Sequence, residues 1–378
     1  MDELTAKLIL LRAPLTPAQW SGLFAEFGSA AAALAAGSGA WPRCGLTPRS
    51  IEILDTTSES LIDPDRRWLE QPHHHLLCLG DPDYPPLLQQ LPDAPTALFV
   101  SGNVQLLSMP QLAMVGSRNP TPYGREIATA FAKHLTQCGL AITSGLADGI
   151  DAASHRGALD GSGHTIAVCG TGLDVVYPRS STDLAQEIEQ HGALISEFPI
   201  GTAARKYHFP LRNRIISGLS LGTFVVEAAL HSGSLITAKQ AGEYGREVFA
   251  LPGSIHNPMA KGCHQLIRQG AKLVDSAEDI LSELGPLTAL AQSLRPMALQ
   301  DSKLTDLPVN SGMQLDKDYK ILLDALGFEP VGIDQLVMRS GLKSDAVASM
   351  LLILELEEHV TSMPGGLYVR SGKASAES

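Results

Sequence analysis

The sequence has few cysteines, and none of them form a paired motif. Five cysteines are scattered singly along 378 residues. Neither a disulfide framework nor a Cys-x-x-Cys metal site is therefore predicted. No apolar run reaches the roughly 18 residues that a membrane-spanning helix needs, and the first residues lack the pattern of a secretion signal. We expect a cytoplasmic protein with no bound metal and no membrane association.

The common nucleotide-binding and catalytic motifs are also missing. No GxxxxGK[ST] loop occurs, and the glycines of "VCGTGLDVVYP" (168–178) do not form GxGxxG. "GLSLG" (218–222) matches the hydrolase elbow pattern, but a helix precedes it and a strand follows, the reverse of the required order. An Asp151–His155 pair one helical turn apart is more typical of a surface contact than of a catalytic dyad. The histidines at 73–75 fit no metal-ligand spacing and are predicted to lie in a loop. We predict no cofactor and no catalytic residues.

Acidic residues are absent from one stretch of an acidic chain. The formal net charge is −12, yet residues 198–226 contain no Asp or Glu. The segment "ARKYHFPLRNRIISGLS" combines cations and rings: Arg205, Lys206, Arg212 and Arg214 with Tyr207, His208 and Phe209. Such a mixture favours single-stranded nucleic acid, because cations pair with phosphates and a ring stacks on a base. The alternative is a solvated basic helix with Phe209 in the core.

Short apolar runs alternate with helical stretches in the middle of the chain. Strands are predicted at 97–100, 112–117, 141–144, 165–169, 193–197, 223–227, 248–251 and 272–274, with helices such as 122–137 and 235–244 between them. This alternation is typical of an α/β fold with a parallel sheet covered on both faces. In such sheets ligands bind at the carboxyl ends of the strands.

The flanking regions differ from this pattern. Residues 1–75 lack strand-like runs and predict a helical domain, so the sheet domain is expected over 76–285. Residues 286–315 are interpreted as a linker. Residues 316–371 predict three helices and a hairpin, which is the order of a winged helix, and 372–378 form a tail.

Two strand-to-helix turns are candidate anion sites. In "MVGSRNPTPYG" (114–124), Gly116, Ser117 and Arg118 follow a strand and precede a helix, whose free N–H groups favour phosphate. "EAALHSGSLITAKQAGEYG" (227–245) has a similar turn at its Ser-Gly-Ser sequence, with Lys239 in the helix. Glu227 could act as a base or orient neighbouring N–H groups.

Several long motifs resemble the DNA-processing protein A family (DprA, also called Smf). They are "VGSRNPTPYG", "SGLADGIDAASHRGAL", "AVCGTGLDVVYP", "SEFPIG", "FPLRNRIISGLS", "SGSLITAKQAGEYGREVFALPG" and "KGCHQLIRQGAKLV", in this order over about 112–280. The resemblance implies an extended Rossmann-like sheet with an N-terminal helical, SAM-like domain and a C-terminal winged helix. It also implies a homodimer that binds and protects single-stranded DNA and delivers RecA recombinase to incoming DNA during natural transformation.

The predicted site residues combine the family motifs with the basic stretch. By resemblance, Gly116, Ser117, Arg118 and Lys206 would hold phosphate and Phe209 would stack on a base. The complete predicted DNA-binding set is Gly116, Ser117, Arg118, Lys206, Phe209, Arg212, Asn213, Arg214 and Lys239. The resemblance also places a dimer contact at His264, Ile267 and Leu273.

Two other functions remain open at this point. The sheet resembles the nucleotide-binding phosphoribohydrolases, although "SGSLITAKQ" stands in place of their PGGxGTxxE loop. A winged helix could instead regulate double-stranded DNA. Residues 316–370 carry nine acidic and five basic residues, and the presumed recognition helix has no Lys or Arg. Phosphate would repel such a helix, so we expect this module to bind DNA poorly.

Overall fold

The computed structural model describes residues 1–293, 321–322, 325–326, 330–356, 359–363 and 365–370. These residues form two compact units. The first unit holds residues 1–119 and 128–293, and the second holds residues 120–127 and the described residues from 321 onward. No helix in these ranges is long and apolar enough to cross a membrane.

Helices and strands alternate through most of the chain up to Ser293. The helices are α1 Glu3–Leu10, α2 Pro17–Phe27, α3 Ala30–Ala36, α4 Pro48–Thr56, α5 Asp63–Leu69, α6 Pro86–Gln89, α7 Pro122–Gln137, α8 Ile150–Gly161, α9 Thr182–His191, α10 His208–Leu219, α11 Ser234–Glu243, α12 Lys261–Arg268 and α13 Ala277–Ser293. The strands are β1 His74–Cys78, β2 Ala97–Gly102, β3 Gln111–Val115, β4 Ala141–Ser144, β5 Thr165–Val168, β6 Ala193–Ser196, β7 Gly222–Val225, β8 Glu247–Ala250 and β9 Lys272–Leu273.

The strands form a single sheet whose order reverses at β3. The nine strands are arranged β1-β2-β6-β5-β4-β3-β7-β8-β9. In this spatial order, every neighbouring pair from β6 across to β9 is parallel. This confirms the predicted α/β fold with a mainly parallel sheet. From β3 the chain first adds β4, β5 and β6 on one side and then β7, β8 and β9 on the other. The carboxyl ends of β3 and β7 therefore meet at a topological switch point, where α/β sheets open a ligand crevice.

Helices cover both faces of this sheet. The strands are therefore buried, and their side chains point alternately into the layers on the two faces. In β7, Val225 belongs to a core cluster that includes residues of α10 and α11. The preceding Phe224 packs against Phe131 of α7, with ring centroids 5.1 Å apart. The two cores hold the strand ends, and the loops that follow them, in fixed positions.

The N-terminal helices pack on an antiparallel extension of the sheet. β1 pairs antiparallel with β2, and β2 pairs antiparallel with β6. Trp20, Trp41 and Trp68 form a core with Phe99 of β2. The predicted loop at 73–75 is wrong from His74 onward, because His74 begins β1. Pairing with β2, which follows about twenty residues later, makes this histidine-rich run a strand.

The second unit contains a winged-helix arrangement in its described part. β10 Val331–Gly332, α14 Ile333–Ser340, α15 Ser344–Leu356, β11 Val360–Met363 and β12 Leu367–Arg370 form a helical core with a three-stranded sheet ordered β10-β12-β11. Of the predicted linker, 286–293 continue α13, while residues 294–315 and the predicted tail lie outside the described residues.

Candidate nucleic-acid interface

A cavity of about 570 Å³ opens at the switch point of the sheet. The loops after β3 and β7 form two of its sides, and α10 forms a third. Its lining residues are Val115, Gly116, Arg118, Ala147, Asp151, Tyr177, Lys206, Phe209, Pro210, Arg212, Asn213, Ile216, Ser232, Gly233, Ser234, Ile236 and Thr237. The structure thus brings six of the nine predicted DNA-binding residues together: Gly116, Arg118, Lys206, Phe209, Arg212 and Asn213.

Helix α10 directs one face into the cavity. Phe209, Arg212, Asn213 and Ile216 all line it, and their spacing of three, four and seven residues places them on one side of a helix. The helix begins at His208, whose Nδ1 lies 3.1 Å from the Gly170 carbonyl oxygen. That contact connects the start of α10 to the loop after β5.

Phe209 stands half-buried at the mouth of the cavity. Its ring packs over Gly170, where a Cβ atom would lie 3.1 Å from the ring carbons. The Tyr177 ring is 5.4 Å away between centroids, and the Arg118 guanidinium carbon lies 5.8 Å from the Phe209 centroid. Three flat groups are therefore grouped at one end of the cavity, which suits stacking of a nucleobase.

Two exposed cations project beside these rings. Arg118 and Lys206 are both exposed, and within the described ranges neither forms an ion pair. Gly116 lets the end of β3 pack closely on α8, since a Cβ atom there would meet Cγ1 of Ile150 at 2.6 Å. Exposed cations beside a cavity are the features that hold a phosphate.

The third cation of the cavity, Arg212, is buried and partly paired. Only 4% of the residue is exposed, and Nη1 donates a 2.6 Å hydrogen bond to the Val168 carbonyl oxygen. Its charge lies near Asp151, although burial still raises the pKa of that carboxyl group. Nε of Arg212 has no hydrogen-bond partner among the described residues. Arg212 therefore contributes positive electrostatic potential from the buried side of the cavity, and its guanidinium is not exposed for direct bidentate binding of phosphate.

The start of α11 forms a further wall of the cavity. Ser232, Gly233 and Ser234 line the cavity, and α11 begins at Ser234. The positive dipole of this helix end adds to the field of the three cations. The second predicted anion turn thus lies beside the basic stretch.

Three predicted DNA-binding residues lie outside the cavity lining. Arg214 points away from it, and its guanidinium pairs with Glu197 and, at 3.7 Å, with Asp93. Lys239 lies on another side of α11, 3.6 Å from Glu243. Ser117 holds the loop instead, since its main-chain N–H donates to the Glu227 carbonyl oxygen at 2.7 Å.

The Asp151–His155 pair does not form. Nδ1 of His155 lies 2.7 Å from Oγ1 of Thr165, and that hydroxyl donates to the Ile142 carbonyl oxygen. His155 must therefore donate through Nδ1. Burial, reinforced by the nearby charge of Arg212, lowers the pKa of His155 to about 3. The imidazole is a neutral core group.

The predicted dimer residues occupy the far edge of the sheet. Leu273 lies in the edge strand β9 and is 51% exposed. Ile267 of α12 is partly buried against the main core. Nε2 of His264 lies 2.9 Å from the Gly253 carbonyl oxygen. An edge strand with an exposed leucine is a surface suited to pairing.

Several residues of the cavity have no clear signal in the sequence. Tyr177 lies in "AVCGTGLDVVYP", but no local pattern shows that the loop after β5 brings its ring to Phe209. Asp151 has the sequence pattern of a first helical turn, and only the fold places its carboxylate near Arg212. Thr237 follows the predicted anion turn by one helical turn, a spacing that could have identified it.

Comparison with known proteins agrees with this architecture. The family model described as DNA recombination-mediator protein A matches residues 75–285, and the DprA winged helix domain matches 308–366. Protein Smf of Escherichia coli is 44% identical, covering 87% of this chain and 86% of its own. DNA processing protein DprA of Streptococcus pneumoniae is 48% identical over 203 residues, covering 54% of this chain and 72% of its own.

Two solved structures share the fold. DNA processing protein A from Streptococcus pneumoniae superposes with a TM-score of 0.65 at 37% identity, covering 73% of this chain and 95% of the other. The Helicobacter pylori protein, described for its single-stranded DNA binding mode, gives 0.52 at 30% identity, covering 57% and 97%. With the sheet and the winged helix in agreement, this chain belongs to the DNA recombination-mediator protein A family, also known as DprA or Smf.

Proposed function

We propose that this chain binds single-stranded DNA in the switch-point cavity and acts as a recombination mediator. The observation that carries the proposal is the grouping of Arg118 and Lys206 around the half-buried ring of Phe209. Cations hold the sugar–phosphate backbone and the ring accepts any base, so the site needs no particular sequence. The printed description of the Helicobacter pylori relative supports the same ligand class.

Direct binding measurements test this proposal. Fluorescence anisotropy with a labelled single-stranded oligonucleotide should show saturable binding, and the matching duplex should bind more weakly because its bases are stacked inside. A preference for the duplex would contradict the proposal. The described part of the winged helix, which carries the acidic residues Asp334 and Glu355, is not expected to contribute strongly to binding.

We further propose a homodimer formed through α12 and β9. A dimer presents two cavities to one strand and so raises the effective concentration for the second contact. Leu273→Glu would place a charge in the contact and is expected to give monomers in light scattering. Leu61→Glu, at another exposed leucine, is the matched control and should remain dimeric. A dimeric Leu273→Glu variant would remove this edge from the interface.

RecA delivery and protection of the bound strand belong to the same proposal, placed in the cytoplasm. All five cysteines are unpaired, which suits a reducing compartment. We expect the protein to speed RecA filament formation on single-stranded DNA and to slow nuclease digestion of that strand. Failure of both effects, with DNA binding intact, would limit the function to binding.

We propose no catalytic activity for the cavity. The two residues of the predicted Asp151–His155 pair are bonded elsewhere: His155 is neutral and contacts Thr165, and Asp151 accepts a 3.1 Å hydrogen bond from the Gly145 N–H. The phosphoribohydrolase alternative thus has no specific observation in its favour. Release of a free base from nucleoside monophosphates by the purified protein would overturn this view.

A further inference from the structure

The loop between β6 and α10 carries Lys206 and is hydrogen-bonded to a residue of the N-terminal helices. In this loop, residues 197–207, the N–H of Ile200 donates a 2.9 Å hydrogen bond to Oδ1 of Asp65. Asp65 lies in the first turn of α5 and is fully buried, with 0% exposed. Its other carboxylate oxygen pairs with Arg12 of the segment after α1. A carboxylate from outside the parallel sheet thus accepts from the loop main chain.

The loop after β5, which carries Tyr177, is hydrogen-bonded to the loop between β6 and α10 next to Ile200. The Gly172 N–H donates to the Thr202 carbonyl oxygen at 2.9 Å, and the Gly201 N–H donates to Oδ1 of Asp174 at 2.8 Å. Leu173 and Ile200 both pack against the core of the N-terminal helices. Two loops that border the cavity are therefore anchored together on that helical core.

Contacts continue from this anchor to the cavity wall. The Phe198 ring stacks on His208, the first residue of α10, with centroids 4.1 Å apart. The His208 N–H donates to the Arg205 carbonyl oxygen at 3.0 Å. Lys206 lies between these fixed points, and its own side chain is exposed. Its position is therefore determined by the main chain of the loop.

Burying a carboxylate costs free energy of folding unless its oxygens accept hydrogen bonds or pair with a cation. Replacing a buried ion pair with apolar groups often leaves stability unchanged, but an apolar group cannot accept a hydrogen bond from a main-chain N–H. We propose that Asp65 is a positioning residue for the DNA cavity, fixing residues 197–207 so that Lys206 stands where phosphate binds. This inference rests on the proposed function of the cavity.

Asp65→Ala tests the inference because it removes the acceptor of the Ile200 N–H. Affinity for single-stranded DNA should fall about three- to tenfold, the scale of one weakened charge-assisted contact. The slope of log affinity against log salt should flatten by up to about 0.7, the value for one phosphate contact on a single strand. Native-state trypsin cleavage after Arg205 and Lys206 should accelerate, since the loop opens more readily.

A double-mutant cycle and two further variants separate positioning from general stability. Lys206→Ala should weaken binding less in the Asp65→Ala background than in the original chain, because both changes remove the same contact. Asp65→Asn keeps an oxygen acceptor for Ile200 and should restore most of the affinity. Lys7→Ala is the control: it breaks the 2.9 Å contact of Lys7 with Asp81, made by the same helical region away from the loop, and should leave the salt slope unchanged.

The outcomes distinguish this inference from the proposed function. If Asp65→Ala lowers the melting temperature but leaves the affinity and salt slope of the folded protein unchanged, Asp65 is only structural and the inference is wrong. Full additivity of Asp65→Ala and Lys206→Ala would also overturn it. If Lys206→Ala and Arg118→Ala both leave binding unchanged, the proposed function of the cavity fails instead.

Discussion

Two arginines two residues apart in the same basic stretch have different roles. Arg212 faces the cavity floor, whereas Arg214 is paired with Glu197 and Asp93 on the opposite side of α10. Only 12% of the Arg214 side chain and 15% of the Glu197 side chain are exposed. The sequence predicts that both arginines bind phosphate, but in the fold Arg214 instead connects α10 to the end of β6 through Glu197.

Arg214→Ala should therefore act on stability. Removing one partner of a buried pair leaves Glu197 uncompensated and should cost about 3 kcal/mol of unfolding free energy. Urea unfolding measures this loss. The affinity of the folded protein for single-stranded DNA should be nearly unchanged, and Arg205→Ala, at an exposed arginine of the same stretch, should not lower stability. A stable Arg214→Ala variant with a flatter salt slope would restore the phosphate role.

His155 makes the stability of the fold depend on pH. Its pKa is about 3 when folded and near 6.5 when unfolded, so only the unfolded chain takes up a proton between these values. Its contribution to stability is complete above pH 6.5 and is lost as the pH falls toward 3. Between pH 7 and pH 5 this histidine should cost about 2 kcal/mol of unfolding free energy.

His155→Gln should remove that part of the pH dependence. The variant keeps an N–H donor for Thr165 but has no group that titrates. Urea unfolding at pH 7 and pH 5 should show a smaller loss for His155→Gln than for the original chain, whereas His256→Gln, at an exposed histidine, should lose as much as the original. Equal losses for His155→Gln and the original chain would mean that His155 titrates normally in the folded state.

At the scale of elements, helix α10 presents the Phe209 ring and the Asn213 amide to the same cavity. The half-buried Phe209 ring rests on Gly170 and is bordered by Tyr177 and the Arg118 guanidinium. Phe209→Leu keeps an apolar side chain but removes the stacking face. Single-stranded DNA affinity should fall by about 1–3 kcal/mol, with the salt slope nearly constant. A variant that melts at a lower temperature yet binds normally would instead make Phe209 a core residue.

Most elements of the sheet could be predicted from the sequence. Apolar runs located the strands within one or two residues, because a doubly covered parallel strand needs little beyond its own sequence. β1 was missed, since "HHLLC" becomes a strand only by pairing with β2. The positions of Arg214 and Tyr177 also depended on partners far away in sequence, which no local pattern records.

At the scale of the whole molecule, an acidic protein carries a local basic cavity. The formal net charge is −12, yet three cations and a helix N-terminus converge at the switch point. Clefts focus their own field, so overall charge need not oppose binding there. The N-terminal helices lie in the same compact unit as the sheet and contribute Asp65 to the loops beside the cavity.

The most direct test of this account is a salt titration of single-stranded DNA binding by four proteins. They are the original chain, Lys206→Ala, Arg118→Ala and the control Lys239→Ala, whose lysine lies outside the cavity lining beside Glu243. We expect the slope of log affinity against log salt to flatten by about 0.7 for Lys206→Ala and for Arg118→Ala and to stay unchanged for the control. Unchanged slopes for both Lys206→Ala and Arg118→Ala, with normal thermal melts, would mean that the switch-point cavity is not the DNA site.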